Sequence, residues 1–165
     1  MTKRIIQVVG FKNAGKTTFC CRLIQEWTKR GLRVGAIKHD GHDFTFDREG
    51  TDSWKLSQAG ADPVSITSAS QTAVFSRRPS ALADLISSMG EVDLILVEGF
   101  KHENHPKVVL INTKEEWEQL KELNRIIAVL TRVPLDGAIP CPYWFVHDQE
   151  KCIEYLLRIM GVEAT

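Results

Sequence analysis

Apolar positions alternate between two periods along the chain. "RIIQVVG" (4–10) is a β-branched run interrupted by Gln7 and is read as a strand. "KTTFCCRLIQEWTKRG" (16–31) then sets Phe19, Leu23, Ile24 and Trp27 at helical spacing before Gly31, a C-terminal stop. "LRVGAIKH" reads as a second strand, "GTDSWKLSQAGA" as a short helix, and "PVSITSAS" and "TAVFSRR" as two strands separated by polar residues. "SALADLISSMG" is helical with Ser80 as a cap. "VDLILVEGF" is a nearly continuous apolar run bounded by charge, the pattern of a central strand buried on both faces. The remainder predicts a strand at "KVVLIN", an exposed helix at "KEEWEQLKEL", a last core strand at "RIIAVLT" and a closing helix at "DQEKCIEYLLRIMG".

Such an order predicts an α/β fold, a mostly parallel sheet covered by helices. The adjacent strands between Pro63 and Arg78 break the alternation and predict an antiparallel excursion, at an edge or in a dimer contact. With 165 residues, 43% of them hydrophobic, the chain is long enough to close one full core, and residues 1–165 are expected to form one nucleotide-binding domain. The longest irregular stretch is "KHDGHDFTFDREGTD" (38–52), and long polar loops at strand ends often carry function.

Charge narrows the choice of partner. Lys plus Arg and Asp plus Glu number 21 each, so there is no global electrostatic reason to bind nucleic acid or an anionic membrane, and any anion site has to be local. Runs long enough to span a membrane are missing from the sequence. Cys20, Cys21, Cys141 and Cys152 lack C-x-x-C spacing and are read as reduced thiols packing as small apolar groups, which fits a soluble cytoplasmic protein.

The local anion site is "GFKNAGKTT" (10–18). Gly10, Gly15, Lys16 and Thr17 match G-x-x-x-x-G-K-[ST] between a predicted strand and a predicted helix, the context that pattern requires. Backbone N–H groups of Asn13, Ala14, Gly15, Lys16 and Thr17 can curl around a phosphate when the glycines allow unusual dihedrals. The helix start adds partial positive charge, Lys16 brings a full cation, and the Thr17 hydroxyl can ligate magnesium. Lys12 stays open between a phosphate contact and a solvated side chain.

Magnesium calls for a carboxylate, and Glu98 ends the best central strand, where ligands of open parallel sheets lie. Asp93, at the other end of that strand, is expected to be remote. In the 38–52 loop, Asp40, Asp43, Asp47 and Asp52 accompany His39 and His42. The loop is read as closing over nucleotide or substrate, with Asp47 as a second carboxylate near magnesium. Beyond Glu98, "EGFKHENHPK" puts Lys101, His102, His105 and Lys107 in a basic patch suited to a second anionic molecule. Phe44, Phe46 and Trp54 are read as closing a core edge rather than stacking on a ligand ring. No catalytic base is identified. "LTRVPLD" stands where guanine-binding phosphate-loop proteins often carry T/N-K-x-D, but Val133 and Pro134 occupy its last two positions, so the residues alone do not choose GTP over ATP.

Together, "GFKNAGKTT", "IKHDGHDFTFDREGTDS", Ala59 to Ala61 and "LVEGFK" followed by "PK" resemble the molybdopterin-guanine dinucleotide biosynthesis protein B family over most of the chain. The resemblance implies a three-layer fold like that of the P-loop NTPases and a GTP-binding adapter of molybdenum cofactor maturation. The adapter would be a homodimer that works with the nucleotidyltransferase joining GMP to molybdopterin and hydrolyses GTP slowly at most. By carry-over, Gly10 to Thr18 hold the GTP phosphates, Thr17 and Glu98 handle magnesium, and the Asp47 to Asp52 loop and Lys101 border the nucleotide or the pterin. The alternative from another class is a small kinase using the same loop on an acceptor near Lys101 and His102; with Arg48 the only arginine of the candidate lid, the residues favour the adapter. A switch GTPase is disfavoured because Gly99 directly follows the acid, leaving no D-x-x-G.

Overall fold

The computed structural model describes residues 4–45 and 47–162, so Phe46 lies outside the described residues. In chain order the elements are β1 (Arg4–Gly10), α1 (Lys16–Lys29), β2 (Val34–Lys38), α2 (Asp52–Gln58), β3 (Val64–Thr67), β4 (Thr72–Phe75) and α3 (Leu82–Ser88). They continue with β5 (Leu94–Glu98), β6 (Lys107–Ile111), α4 (Lys114–Leu120), β7 (Ile126–Thr131), β8 (Tyr143–Phe145), a single 3-10 turn (Val146–Asp148) and α5 (Gln149–Ile159). They fall into two compact units, one from Met1–His39 and Leu85–Thr165 and the other from Asp40–Asp84.

The first unit holds a six-stranded sheet in the order β2-β5-β1-β6-β7-β8. Each of its pairings is parallel. Parallel strands need crossover connections, and the strand–helix alternation of the sequence supplies them. β5 and β6 are buried at every position, which for β5 its nearly continuous apolar run predicts. On one face, Ile6, Val8, Leu94, Leu96, Leu110 and Leu130 pack with Phe19, Leu23 and Trp27 of α1 and with Ile153 and Leu156 of α5. On the other, Val9, Val109, Ile111 and Val129 meet Trp117 and Leu120 of α4. Successive β1 residues therefore serve opposite helix layers, the two-residue period of a strand. α1 ends as predicted: Gly31 has φ 77°, its N–H donates to the Thr28 carbonyl at 3.0 Å, and that of Leu32 donates to the Trp27 carbonyl at 3.2 Å.

Two features differ from the expectation. α4 is not simply exposed, because Trp117 and Leu120 are buried at i,i+3 spacing within a charged segment. The sheet also does not end at β7. β8 continues it, entered through Pro142, whose carbonyl accepts from the Val129 N–H at 3.1 Å. Three residues behind a proline are too few to show a strand period.

In the second unit β3 and β4 are antiparallel, as expected, with Val64 opposite Phe75 and Thr67 opposite Thr72. They form a two-stranded sheet of their own. Thr51 caps α2, its Oγ1 accepting from the Trp54 N–H at 3.3 Å. Among the described residues no helix is long and apolar enough to cross a membrane.

Gly10 closes β1 where the chain has no room for a side chain: a Cβ there would lie 2.4 Å from the Leu110 carbonyl oxygen of β6, a backbone atom fixed in the sheet. Gly10→Ala should therefore destabilise the free protein by about 1–3 kcal/mol through overpacking. Urea unfolding measures this, and an unchanged midpoint would refute the close approach.

Candidate functional site

The loop from Gly10 to Gly15 joins β1, an interior strand, to α1. Asn13 (φ 63°) and Gly15 (φ 91°) take left-handed conformations, and the Ala14 N–H donates to the Phe11 carbonyl at 3.3 Å, which curls the loop on itself. Gly15 sits at the N-cap of α1 and offers no side-chain hydrogen bond, and the first turn carries no acid. The leading N–H groups of α1 have no intrahelical acceptor, and no acid in the helix's own first turn offsets the positive end of its dipole. The Lys16 Nζ donates to the Phe11 carbonyl at 2.7 Å, which folds the ammonium back over the loop. Amides, helix end and ammonium thus converge, as an anion seat requires.

Glu98 is 7% exposed at the C-terminal end of β5. The Thr17 hydroxyl lies 2.9 Å and 3.0 Å from its two carboxylate oxygens, and the Lys38 Nζ donates to Oε1 at 2.7 Å. The predicted pairing of Thr17 with Glu98 is present. Lys38 is an addition: it ends β2 directly opposite Glu98 in the β2–β5 register. Its only sequence signal is a lysine closing the second strand, and which strand neighbours β5 is a matter of topology. A hydroxyl beside a carboxylate is an all-oxygen donor set suited to magnesium, which keeps several water ligands. Because Lys38 already neutralises Glu98, the carboxylate suits a metal-bound water better than direct ligation, which would have to displace the ammonium. Close by, burial first and the Glu98 carboxylate second push the Cys20 thiol up to about 12.

The loop after Glu98 is held from below. Gln7 is fully buried, and its Nε2 donates to the carbonyls of Gly99 at 3.1 Å and Phe100 at 2.8 Å, while its Oε1 accepts from the His105 N–H at 3.3 Å. Gly99 (φ 95°) and Phe100 (φ 52°) turn the chain sharply. The loop so held carries Lys101, whose ammonium lies 5.7 Å from the centroid of the Phe11 ring. It borders a cavity of about 500 Å³ shared with Lys12, Lys16, His39 and His102. Lys107 leaves the expected basic patch: it is fully buried, and its Nζ donates to the backbone carbonyls of Glu103 and His105. Lying within β6, its side chain ties the loop down instead of facing a ligand.

Asp93 precedes β5 and accepts from the Arg33 N–H at 2.7 Å, at the strand end opposite Glu98, as expected. Asp47 belongs to the second unit, where its Oδ1 accepts from the Arg48 N–H at 2.8 Å, the Thr51 hydroxyl at 3.1 Å and the Ser53 hydroxyl at 3.2 Å. Thr18 follows Thr17 in the first turn of α1 and is exposed. Arg132, just past β7, has its Nε donating to the Asn112 Oδ1 at 3.0 Å. A methyl group placed on Gly15 would lie 3.8 Å from its Nη2. The "TRVP" stretch marked this place in the sequence, but the reach of its arginine to the loop appears only in three dimensions.

A parallel α/β sheet whose central strand runs into a glycine-lysine-threonine loop, with an acid ending the neighbouring strand, defines a fold of the phosphate-loop NTPase type. The family model for molybdopterin guanine dinucleotide synthesis protein B matches residues 5–132, and the chain belongs to that family. It is 40% identical over 132 residues to a probable molybdopterin-guanine dinucleotide biosynthesis adapter protein of Bacillus subtilis, covering 78% of this chain and 76% of the relative. It is 37% identical over 140 residues to the corresponding adapter protein of Escherichia coli, covering 80% of each. A crystal structure of Bacillus subtilis MobB superposes with a TM-score of 0.80 at 35% identity, covering 94% of this chain and 96% of that one. That of a MobB homolog from Bacillus stearothermophilus gives 0.78 at 30%, covering 96% and 99%.

The loop beneath the cavity also predicts a pH response. Burial first, then Lys107 and Arg125, hold the His105 imidazole below its ordinary 6.5, with Glu103 opposing them. The folded chain then resists a proton that the unfolded chain accepts, so stability is full above pH 6.5 and falls as pH drops from there through the depressed folded value. His105→Asn keeps the backbone bond to Gln7 and should flatten that decline. Thermal melts across about two pH units below the ordinary value read it; an equally steep decline in the variant would clear His105 as its source.

Proposed function

We propose that this chain is a GTP-binding adapter of molybdenum cofactor maturation, assisting attachment of GMP to molybdopterin in the cytoplasm and hydrolysing GTP slowly at most. The observation that carries this reading is the buried Glu98 pinned to Thr17 and Lys38 beside the phosphate loop. The adapter names of its relatives support it as well. Residues Gly10, Lys12, Asn13, Ala14, Gly15, Lys16, Thr17 and Thr18 take the phosphates, and Thr17 and Glu98 magnesium. Lys101 faces the outer phosphates or the pterin. A magnesium ion held by Thr17 and, through water, by Glu98 would supply positive charge to offset that of the phosphates. Slow hydrolysis fits the geometry, because the Glu98 carboxylate already accepts from Lys38 and Thr17 and is not aimed at a water on the phosphate. The partners are the guanylyltransferase and a second copy of the chain.

Lys16→Ala should lower GTP affinity by a factor of about 100, the scale of a lost charge-assisted contact. Glu98→Gln should remove the magnesium dependence of binding and leave metal-free affinity nearly intact. Titration calorimetry with and without magnesium measures both, and equal losses in the two conditions would take Glu98 away from the metal. The adapter role is tested by adding the chain to the transferase with GTP and molybdopterin. The expected result is faster GMP attachment, with GTP turnover by the chain alone well below about one per second. Turnover at ordinary enzyme rates with a small acceptor would instead make it a kinase.

A further inference from the structure

We propose that the cavity at the amino ends of β1 and β7 is a second binding site, for a small molecule that carries one carboxylate-like anionic group on a compact apolar body. The site lies apart from the phosphate loop and does not depend on the nucleotide reading.

Ligands of open parallel sheets lie at the carboxyl ends of the strands, where Gly10 and Glu98 are found. This cavity is at the opposite end: Arg4 opens β1, Pro106 precedes β6, Ile127 stands second in β7 and Ile159 closes α5. Its volume of about 510 Å³ is that of a small-molecule site. Two backbone irregularities shape it. Arg125 is left-handed, with φ 59°, a conformation that a long side chain adopts only where its surroundings fix it. Its carbonyl accepts from the Lys107 N–H at 2.9 Å, and its Nη1 donates to the Asn104 carbonyl at 3.2 Å. Two residues on, the register slips: Lys107 pairs with Ile126 but Val108 with Ala128, which leaves Ile127 as the extra residue of a bulge, a device that re-aims a side chain. Arg125 and Ile127 both line the cavity.

The lining has two kinds of surface. Ile5, Ile127, Ile159 and Met160 form an apolar wall, and Ile159 is left 46% exposed. The polar side chains, Arg4, Arg125 and His105, are all nitrogen bases. Among the described residues no carboxylate lines the cavity, and neither arginine forms an ion pair. The Arg4 guanidinium sits at the C-terminal end of α5, where the helix dipole favours a cation; a methyl group placed on Gly161 would lie 4.0 Å from its Nη2. Guanidinium groups bind a carboxylate through paired N–H groups. A simple anion would leave the apolar wall wet, and a simple hydrocarbon would leave the arginines without a counter-charge. An amphiphilic anion satisfies both surfaces.

The probe is octanoate, compared with 1-octanol, which has the chain without the charge, and acetate, which has the charge without the chain. Isoleucine methyl groups of the full chain are followed by NMR, with melts of each variant as a folding control. The expected result is a saturable octanoate shift at Ile5, Ile127 and Ile159, with 1-octanol and acetate each about tenfold weaker. Arg4→Gln combined with Arg125→Asn, asparagine being tolerant of the left-handed conformation, should weaken octanoate about tenfold and leave 1-octanol within about twofold. Octanol binding as tightly as octanoate, no saturable shift at these methyl groups, or displacement of octanoate by GTP would each overturn the site. Equal weakening of octanoate and 1-octanol in the double variant would also overturn it, by tracing the loss to packing instead of charge. A chain that shows the octanoate pattern but fails to bind GTP keeps this site and loses the nucleotide reading.

Discussion

A carboxylate buried at the end of an interior strand has to be paired, and in this chain the pairing of Glu98 organises its surroundings. Desolvating a charge without a partner costs several kcal/mol, so Glu98 can exist there only with an ammonium and hydrogen-bond donors in place. Lys38 and Thr17 meet that requirement from β2 and α1, the two elements that follow the phosphate loop in sequence. One buried anion thus joins the start of the helix that carries the loop to two strand ends.

The polar residues inside the first unit share a location. Gln7, Glu98, Lys107 and Thr131 are buried in strands of the sheet, and hydrogen bonds from each reach an adjoining loop or helix. Gln7 and Lys107 hold the segment after Glu98 from beneath, and Thr131 Oγ1 closes the turn after β7 by donating to the Val133 carbonyl at 2.6 Å. These bonds fix loop backbones from inside the core and leave the upper faces to side chains such as Lys101 and Arg132. A site assembled this way needs little ordering when it binds, which lowers the entropic cost of association.

Much of the fold and part of the site were legible in the sequence. Apolar runs marked β1 and β5, helical spacing marked α1 and α5, and the spacing of Gly10, Gly15, Lys16 and Thr17 marked the loop, because helix, strand and phosphate cradle are local arrangements whose backbone demands act on neighbouring residues. The end of β5 was equally readable, since an acid after an unbroken apolar run has few other places to lie. Lys38, Gln7 and Lys107 were not readable in their roles. Gln7 meets Phe100 across 93 positions and Lys38 meets Glu98 across 60, pairings that exist only once β2, β5, β1 and β6 have taken their order in the sheet. Sequence alone determined that a strand, a glycine loop and a helix would make an anion seat; tertiary structure decided which distant side chains surround it, because strand order brings together residues whose separation along the chain carries no trace of their contact.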